Sequence, residues 1–267
     1  MNFSEESMST NTEECGQGHL PKCGLLPNPW YATSWLVVFA ILHFVGVFLY
    51  IAGYGGYLGA QLGAQGEVVD PASIQQAVEM HIQTPAALAG MYLTQFCLIL
   101  PALLFASRFE TQTRRATLAI SGFRLDSLWR WLSLLVVFMI AQVVTVKSLG
   151  VEQGEFMQML AGSRHLPLAL VVVFAAPLLE ELLFRGYLFG AWRQTRLGFS
   201  GTLLLTSGLF TLMHWGQYHW VQLSFVFVLA LLLGLAREKS GSVLLPMLLH
   251  LLNNLVSAVV VIYLGIL

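Results

Sequence analysis

The hydrophobic positions of this chain fall in long runs, not in the short alternations of a soluble protein. Seven runs come close to the ~20 residues that a membrane-spanning helix needs. They predict helices over 34–60, 86–106, 128–146, 166–190, 199–215, 219–236 and 243–265. The fifth and sixth runs are short and closely joined. The pattern predicts an all-α fold, a polytopic transmembrane helical bundle of about seven spans.

The amino-acid composition also indicates a chain that lies in lipid. The 267 residues are 57% hydrophobic and only 10% charged, whereas soluble domains carry about 25% charged residues. A single core cannot hide that much apolar surface, so the lipid bilayer is the expected partner. The formal net charge of −1 gives no indication of a nucleic acid partner.

The segment 1–29 is polar and rich in Ser, Thr and Glu. It has no apolar core of the kind that signal peptides contain, so we predict a disordered N-terminal tail and not a signal peptide. Cys15, His19 and Cys23 are evenly spaced within it. The paired Cys-x2-Cys spacing of zinc knuckles is missing, which favours an incidental arrangement over a zinc site.

Basic residues predict the orientation. The connection 61–85 contains no Lys or Arg, whereas the next one contains Arg108, Arg114, Arg115 and Arg124. Cytoplasmic connections are enriched in Lys and Arg. The alternation therefore predicts a multi-pass protein of the cell membrane with a cytoplasmic N-terminus and, for seven spans, an external C-terminus.

The stretch "PLLEELLFRG", residues 177–186, places charges inside the fourth apolar run. Ionisable groups are costly in hydrocarbon and mark functional positions. Glu181 and Arg185 are four residues apart, share a helix face and can pair. Glu180 is rotated by about 100° and keeps its carboxylate for another partner. Pro177, one turn earlier, predicts a bend that frees backbone groups.

Two more polar clusters lie in other apolar runs. Phe210 and His214 share a face of the fifth run, and His250 and Asn254 share a face of the seventh. Each polar group needs a polar partner or a wet cavity, and convergence with Glu180 satisfies all of them. The alternative is a buried ion pair with the purely structural role of holding the helices together.

The expected depths of these residues in the membrane argue against a simple convergence of the three clusters. At 1.5 Å per residue from the inner ends, Glu180 and His250 lie about 15 and 10 Å deep, but His214 about 22 Å. The following "WGQYHW" (215–220) is typical of an aromatic belt at the membrane surface. Convergence therefore requires the fifth helix to tilt or to begin deeper.

The three clusters resemble, in order, the signature motifs of the CAAX protease and bacteriocin-processing family, also called Abi. They are Glu180-Glu181-x-x-x-Arg185, Phe210-x-x-x-His214 and His250-x-x-x-Asn254. The resemblance covers about residues 115–265 and includes "SGFRL" at 121–125. One motif alone is a weak signal, but the ordered trio is strong.

The resemblance implies an organisation and an activity. Segment 30–114 would hold N-terminal transmembrane helices, and 115–267 an intramembrane peptidase core similar to the Ras-converting CAAX prenyl endopeptidase. The implied reaction is hydrolysis of a peptide bond in a membrane-associated peptide or protein. The substrate is either a prenylated CAAX end or a bacteriocin or leader-type peptide, and the sequence selects neither. It also leaves the oligomeric state open.

Roles follow from the same resemblance. Glu180 would be the general base for a water that His214 helps to hold, and His250 and Asn254 would stabilise the oxyanion. Hydrolysis without a side-chain nucleophile does require a base and donors where negative charge develops. The remaining motif residues are expected to be structural: Glu181, Arg185 and Phe210.

Other functions compete with this one. A zinc ion at the same site would activate the water itself. No His-Glu-x-x-His is present and the two neighbouring glutamates point in different directions, so we expect no metal and no cofactor. A non-catalytic immunity or scaffold protein would keep the site as a relic. A transporter or proton relay would not require the His-x-x-x-Asn pair, and no inverted repeat is evident.

Overall fold

A computed structural model describes residues 29–66, 70–108, 113–152 and 154–266, and no strand occurs in these ranges. The tail trio Cys15, His19 and Cys23 lies outside them. The helices are α1 (Pro29–Ala64), α2 (Pro71–Ile82), α3 (Pro85–Ala106), α4 (Arg114–Thr117), α5 (Leu128–Ser148), α6 (Glu155–Leu160), α7 (Leu166–Trp192), α8 (Gly198–Leu212), α9 (Trp220–Ser240) and α10 (Leu244–Tyr263). A 3-10 turn, Leu125–Ser127, precedes α5.

Six of the described helices are long and apolar enough to cross a membrane: α1, α3, α5, α7, α9 and α10. The predicted all-α, multi-pass helical bundle is confirmed. The fifth predicted span is the exception, because α8 has 15 residues. That length is about 22 Å, against roughly 30 Å of hydrocarbon. Helix α8 ends at Leu212, so His214 follows in a turn and not at the far end of a full span.

Large apolar side chains cover the outside of the bundle. Phe44 on α1 is 72% exposed, Val137 on α5 is 64% exposed and Leu204 on α8 is 56% exposed. Such a surface is suited to lipid, whereas in water it would promote aggregation. The exposed apolar faces therefore agree with the hydropathy pattern.

Helix α7 lies at the centre of the main hydrophobic core. Its buried Phe184, Tyr187 and Leu188 pack with Leu103 of α3 and Phe210 of α8. Two smaller clusters surround this core, one around α6 and the end of α10, the other between α5, α9 and α10. The central position of α7 brings its charged residues within reach of the other helices.

Two π-helical segments interrupt α7, at Val171–Ala175 and at Leu182–Leu188. Between them, Ala176–Glu181 is α-helical and has Pro177 in its first turn. A π-helical turn links residues five apart, and such turns are frequent at functional sites. The change of spacing leaves carbonyl groups of α7 open to donors from other helices.

Glycine permits close approach at two places near α7. A Cβ on Gly234 of α9 would lie 2.3 Å from Leu203 Cδ1 of α8. A Cβ on Gly186 would lie 3.0 Å from the Leu118 carbonyl oxygen. These glycines let α9 pack on α8, and the segment after α4 pack on α7, at distances that a larger residue would prevent.

The "SGFRL" segment is tied to the turn between α9 and α10. The backbone N–H of Val243 donates to the Ala119 carbonyl at 2.9 Å, and the Ser242 hydroxyl donates to the Ser121 carbonyl. Gly241 ends α9 in the left-handed conformation, with φ of 68°. These two hydrogen bonds thus hold the turn before α10, the helix that carries His250.

Candidate active site

The three motifs meet where the middle of α7 faces α8 and α10. Helix α7 carries Glu180, Glu181 and Arg185, and α8 carries Phe210 with His214 just beyond its end. Helix α10 carries His250 and Asn254. The centre of the resulting cluster is a network of two carboxylates, one guanidinium and one imidazole.

The ion pair expected from the four-residue spacing is present. Arg185 Nη1 lies 3.0 Å from Glu181 Oε1, and both side chains are fully buried. Arg185 also donates from Nη2 to the Ala230 carbonyl of α9 at 3.0 Å. Its guanidinium carbon lies 4.6 Å from the centre of the Phe210 ring. The planar guanidinium of Arg185 thus links three helices through one side chain.

His250 lies between the two glutamates. Its Nδ1 is 2.9 Å from Glu181 Oε1, and its Nε2 is 3.7 Å from Glu180 Oε2. Because a carboxylate accepts hydrogen bonds, Nδ1 carries the proton of the short contact, and Nε2 is directed at Glu180. Glu181 therefore orients His250 in addition to neutralising Arg185, a contact that helix spacing alone did not reveal.

Glu180 keeps an uncommitted oxygen. Its Oε2 is buried and makes no hydrogen bond, and its side chain is 17% exposed. The side chain lines a cavity of about 60 Å³ that has room for water. His43, Tyr92 and Gln95 line the same cavity from α1 and α3. A carboxylate beside a water-sized space has the arrangement that a general base requires.

His214 joins the cluster through Phe210. Its Nδ1 lies 2.9 Å from the Phe210 carbonyl oxygen. Nδ1 must donate this bond, so Nε2 of the neutral ring remains as an acceptor. The Phe210 ring centre is 4.9 Å from that of His214 and 5.7 Å from that of His250. The Phe210 ring therefore links His214 to His250, although their expected depths differ.

Asn254 contacts the first π-helical segment of α7. Its Nδ2 donates to the Val172 carbonyl at 2.9 Å, and its Oδ1 accepts from Asn253 at 3.2 Å. Pro177 stands five residues after Val172, where a π-helical turn would place the donor, and proline has no N–H. Asn254 thus supplies a hydrogen bond that the helix itself lacks.

Sequence reasoning missed Tyr92 and two residues of "WGQYHW". The Tyr92 side chain lies beside that of Gln217. Tyr218 lies near Glu180, and burial together with that negative charge raises the pKa of Tyr218 to about 12. Trp215 and Trp220 are exposed, as a membrane-surface belt requires. The clue was present for one of them, because Gln217 is a member of the segment that does not suit a lipid-facing belt.

Arg237 is a second missed contact of α7. It is buried, and its Nε donates to the Arg185 carbonyl at 2.9 Å. Its guanidinium carbon lies 5.8 Å from the centre of the Phe189 ring. The second π-helical segment is thereby supported from α9, directly behind the ion pair.

The Glu and His side chains of this cluster are of the types that bind metal ions. Within the described ranges, no three His, Cys, Asp or Glu side chains are grouped to hold an ion. Glu181 is shared between Arg185 and His250, and both of those contacts would have to break before it could bind a metal. The described side chains therefore do not fit a zinc site in this arrangement.

The segment that carries the three motifs is similar to a known protein family. The family described as Rce1-like, type II CAAX prenyl endopeptidase Rce1-like, matches residues 162–256. All seven motif residues fall inside that range. The predicted family resemblance is confirmed. The matched family is one of CAAX-type peptidases, which are hydrolases.

One curated protein is similar to a part of this chain. An uncharacterized 24.3 kDa protein of Escherichia coli is 34% identical over 113 residues, which cover 39% of this chain and 51% of that protein. The chain thus spans about half the length of this curated relative. No solved structure matches.

Proposed function

We propose that this protein is an intramembrane endopeptidase in which Glu180 activates a water to hydrolyse a peptide bond of a membrane-associated substrate. The observation that carries the proposal is the Glu180 side chain, which lines a water-sized cavity and has a buried Oε2 that makes no hydrogen bond. The Rce1-like match over residues 162–256 supports the reaction class.

The charges of the cluster suit this role. Two glutamates and one arginine leave a single negative charge, and a buried uncompensated charge is costly. A proton held between Glu180 and His250, whose nearest atoms are 3.7 Å apart, makes the cluster neutral. With that proton on His250, Glu180 is a free base next to a cation.

The reaction can be written with these groups. Glu180 takes a proton from the water as the water oxygen bonds to the carbonyl carbon, and the π electrons of the carbonyl move onto its oxygen. The His250 cation and the second N–H of Asn254 offset that developing charge. His214 Nε2 accepts a hydrogen bond from the other O–H of the water, which keeps that hydrogen. Glu180 then gives its proton to the leaving nitrogen as the C–N bond breaks.

The substrate would reach the site from the lipid. An apolar groove of about 350 Å³ between α3 and α7 is lined by Phe96, Leu170 and Phe174. It shares Phe96 and Ala175 with the cavity of Glu180. A peptide carrying a hydrocarbon chain could place the chain in the groove and the peptide beside Glu180. This supports a prenylated CAAX-type peptide as the first substrate to try, with a leader-type peptide as the second.

The experiment is cleavage by purified wild type and Glu180→Gln in proteoliposomes. We expect the variant to lose cleavage of a farnesylated CAAX-type reporter peptide by at least about 10²-fold, since an amide cannot take the water proton. Glu79→Gln, on the exposed surface of α2, is the matched control and should keep full activity. Thermal unfolding should show both variants folded. Retention of most activity by Glu180→Gln would overturn Glu180 as the base, whereas a wild type that cleaves nothing would favour the non-catalytic immunity or scaffold role.

A further inference from the structure

The cavity beside Glu180 has one wall that lies outside the matched segment 162–256. Helix α3 supplies Tyr92 and Gln95 to this wall, and α1 supplies His43. Tyr92 lies beside the Gln217 side chain and lines the same cavity as Glu180. A phenol held beside a catalytic carboxylate needs a chemical explanation.

In this structure the donors of His250 and Asn254 are partly engaged by other groups. His250 directs Nδ1 to Glu181 and Nε2 to Glu180. Asn254 uses one amide N–H on the Val172 carbonyl. Neither residue is among the described side chains that line the cavity, whereas Tyr92 is. A tetrahedral intermediate formed there requires a donor aimed at its oxyanion.

We propose that the Tyr92 hydroxyl donates a hydrogen bond to the oxyanion of the tetrahedral intermediate. This assignment rests on the proposed function. In this assignment the Gln217 amide N–H donates to the phenolic oxygen, which leaves the hydroxyl proton for the oxyanion. Tyr218 is the weaker candidate, because it stacks on His214 and does not line the cavity.

The Tyr92 hydroxyl neither gains nor loses a proton during the reaction. Negative charge appears on the carbonyl oxygen when the water oxygen bonds to carbon, and the Tyr92 O–H bond to that oxygen strengthens at that moment. The tyrosine keeps its proton. When the C–N bond breaks, the carbonyl re-forms, the proton on Glu180 goes to the nitrogen, and the hydrogen bond weakens again.

The first test is the kinetics of Tyr92→Phe with a farnesylated CAAX-type reporter peptide. Removing one oxyanion donor lowers kcat by about 10²–10³-fold, and we expect KM to change by less than about 3-fold. Gln217→Leu should reduce kcat by a smaller factor, because the hydroxyl remains but is no longer held. Tyr50→Phe is the matched control, since it removes a hydroxyl that bonds His81 at 2.9 Å and should leave kcat unchanged.

The second test separates oxyanion stabilisation from a structural role. The probe is the same peptide with a phosphinate in place of the scissile amide, a tetrahedral anion that resembles the intermediate. Tyr92→Phe should bind this probe about 10²-fold more weakly than wild type. The uncleaved reporter should bind Glu180→Gln and the Glu180→Gln, Tyr92→Phe double variant equally well. Equal weakening of both ligands would overturn the assignment.

The outcomes distinguish this inference from the proposed function. Full activity of Tyr92→Phe together with inactive Glu180→Gln overturns the Tyr92 assignment alone. Full activity of Glu180→Gln overturns the proposed mechanism. A wild-type protein that neither cleaves the reporter nor binds the phosphinate overturns both.

Discussion

Glu181 holds two groups at once, the Arg185 guanidinium and the His250 ring. Both members of its ion pair are fully buried, so removal of one leaves the other as an unpaired charge. Breaking a buried pair in this way costs about 3–5 kcal/mol, whereas replacing both charges is often far milder. The stability of the site therefore depends on the pair as a unit.

We expect Arg185→Ala to lower the yield and melting temperature of the purified protein. The double variant Glu181→Gln, Arg185→Ala should be more stable than Arg185→Ala alone, because no unpaired charge remains. The control is Arg124→Ala, whose partner Asp126 is exposed and whose loss should change stability by less than about 1 kcal/mol. Additive effects in the double-mutant cycle would rule out the coupling.

At the scale of helices, the irregular α7 depends on its neighbours. Asn254 of α10 donates to the Val172 carbonyl, and Arg237 of α9 donates to the Arg185 carbonyl. Both carbonyls belong to π-helical segments. An acceptor left without a donor in an apolar interior costs about 1–3 kcal/mol. These bonds fix the two ends of the turn that carries Glu180 and Glu181.

A cycle between Pro177 and Asn254 tests this dependence. Asn254→Ala should destabilise the wild type by about 1–3 kcal/mol, because the Val172 carbonyl loses its donor. In a Pro177→Ala background, residue 177 regains an N–H, and the helix can satisfy that carbonyl itself. The same Asn254→Ala change should then cost less. Equal losses of thermal stability in the two backgrounds would contradict this explanation.

At the scale of the whole molecule, helices outside the matched segment complete the cavity. Residues 162–256 supply Glu180, and α1 and α3 supply His43, Tyr92 and Gln95. The segment that resembles the family is thus not the entire site. Substrate choice would then depend in part on α1 and α3, for which the sequence offered no resemblance. The cytoplasmic N-terminus remains a prediction from the distribution of arginines.

Metal dependence is tested on the complete protein. We expect 1,10-phenanthroline to leave cleavage unchanged, because Glu180 would activate the water without an ion. A zinc enzyme would lose activity and regain it on addition of zinc. Elemental analysis gives a second measurement, made on a Cys15→Ser, Cys23→Ser variant so that the tail cannot contribute. Near-stoichiometric zinc that disappears in His214→Ala, His250→Ala would establish the metal mechanism instead.

The sequence by itself determined that the chain lies in a lipid bilayer, that it is helical and which residues form the motifs. Long apolar runs allow only helices in a bilayer, because each backbone group must be satisfied within its own segment. The four-residue spacing also determined that Glu181 faces Arg185. These features are local, and one helix is enough to define them.

Only the tertiary structure decided which groups meet. The contact of His250 with Glu181 joins residues 69 positions apart, and nothing in either helix specifies its partner. The π-helical turns of α7 and the early end of α8 likewise depend on donors and packing from other helices, so periodicity did not predict them. The place of Tyr92 beside Glu180 is of the same kind, because it depends on how α3 packs against α7, a choice made by the shapes of both helices together.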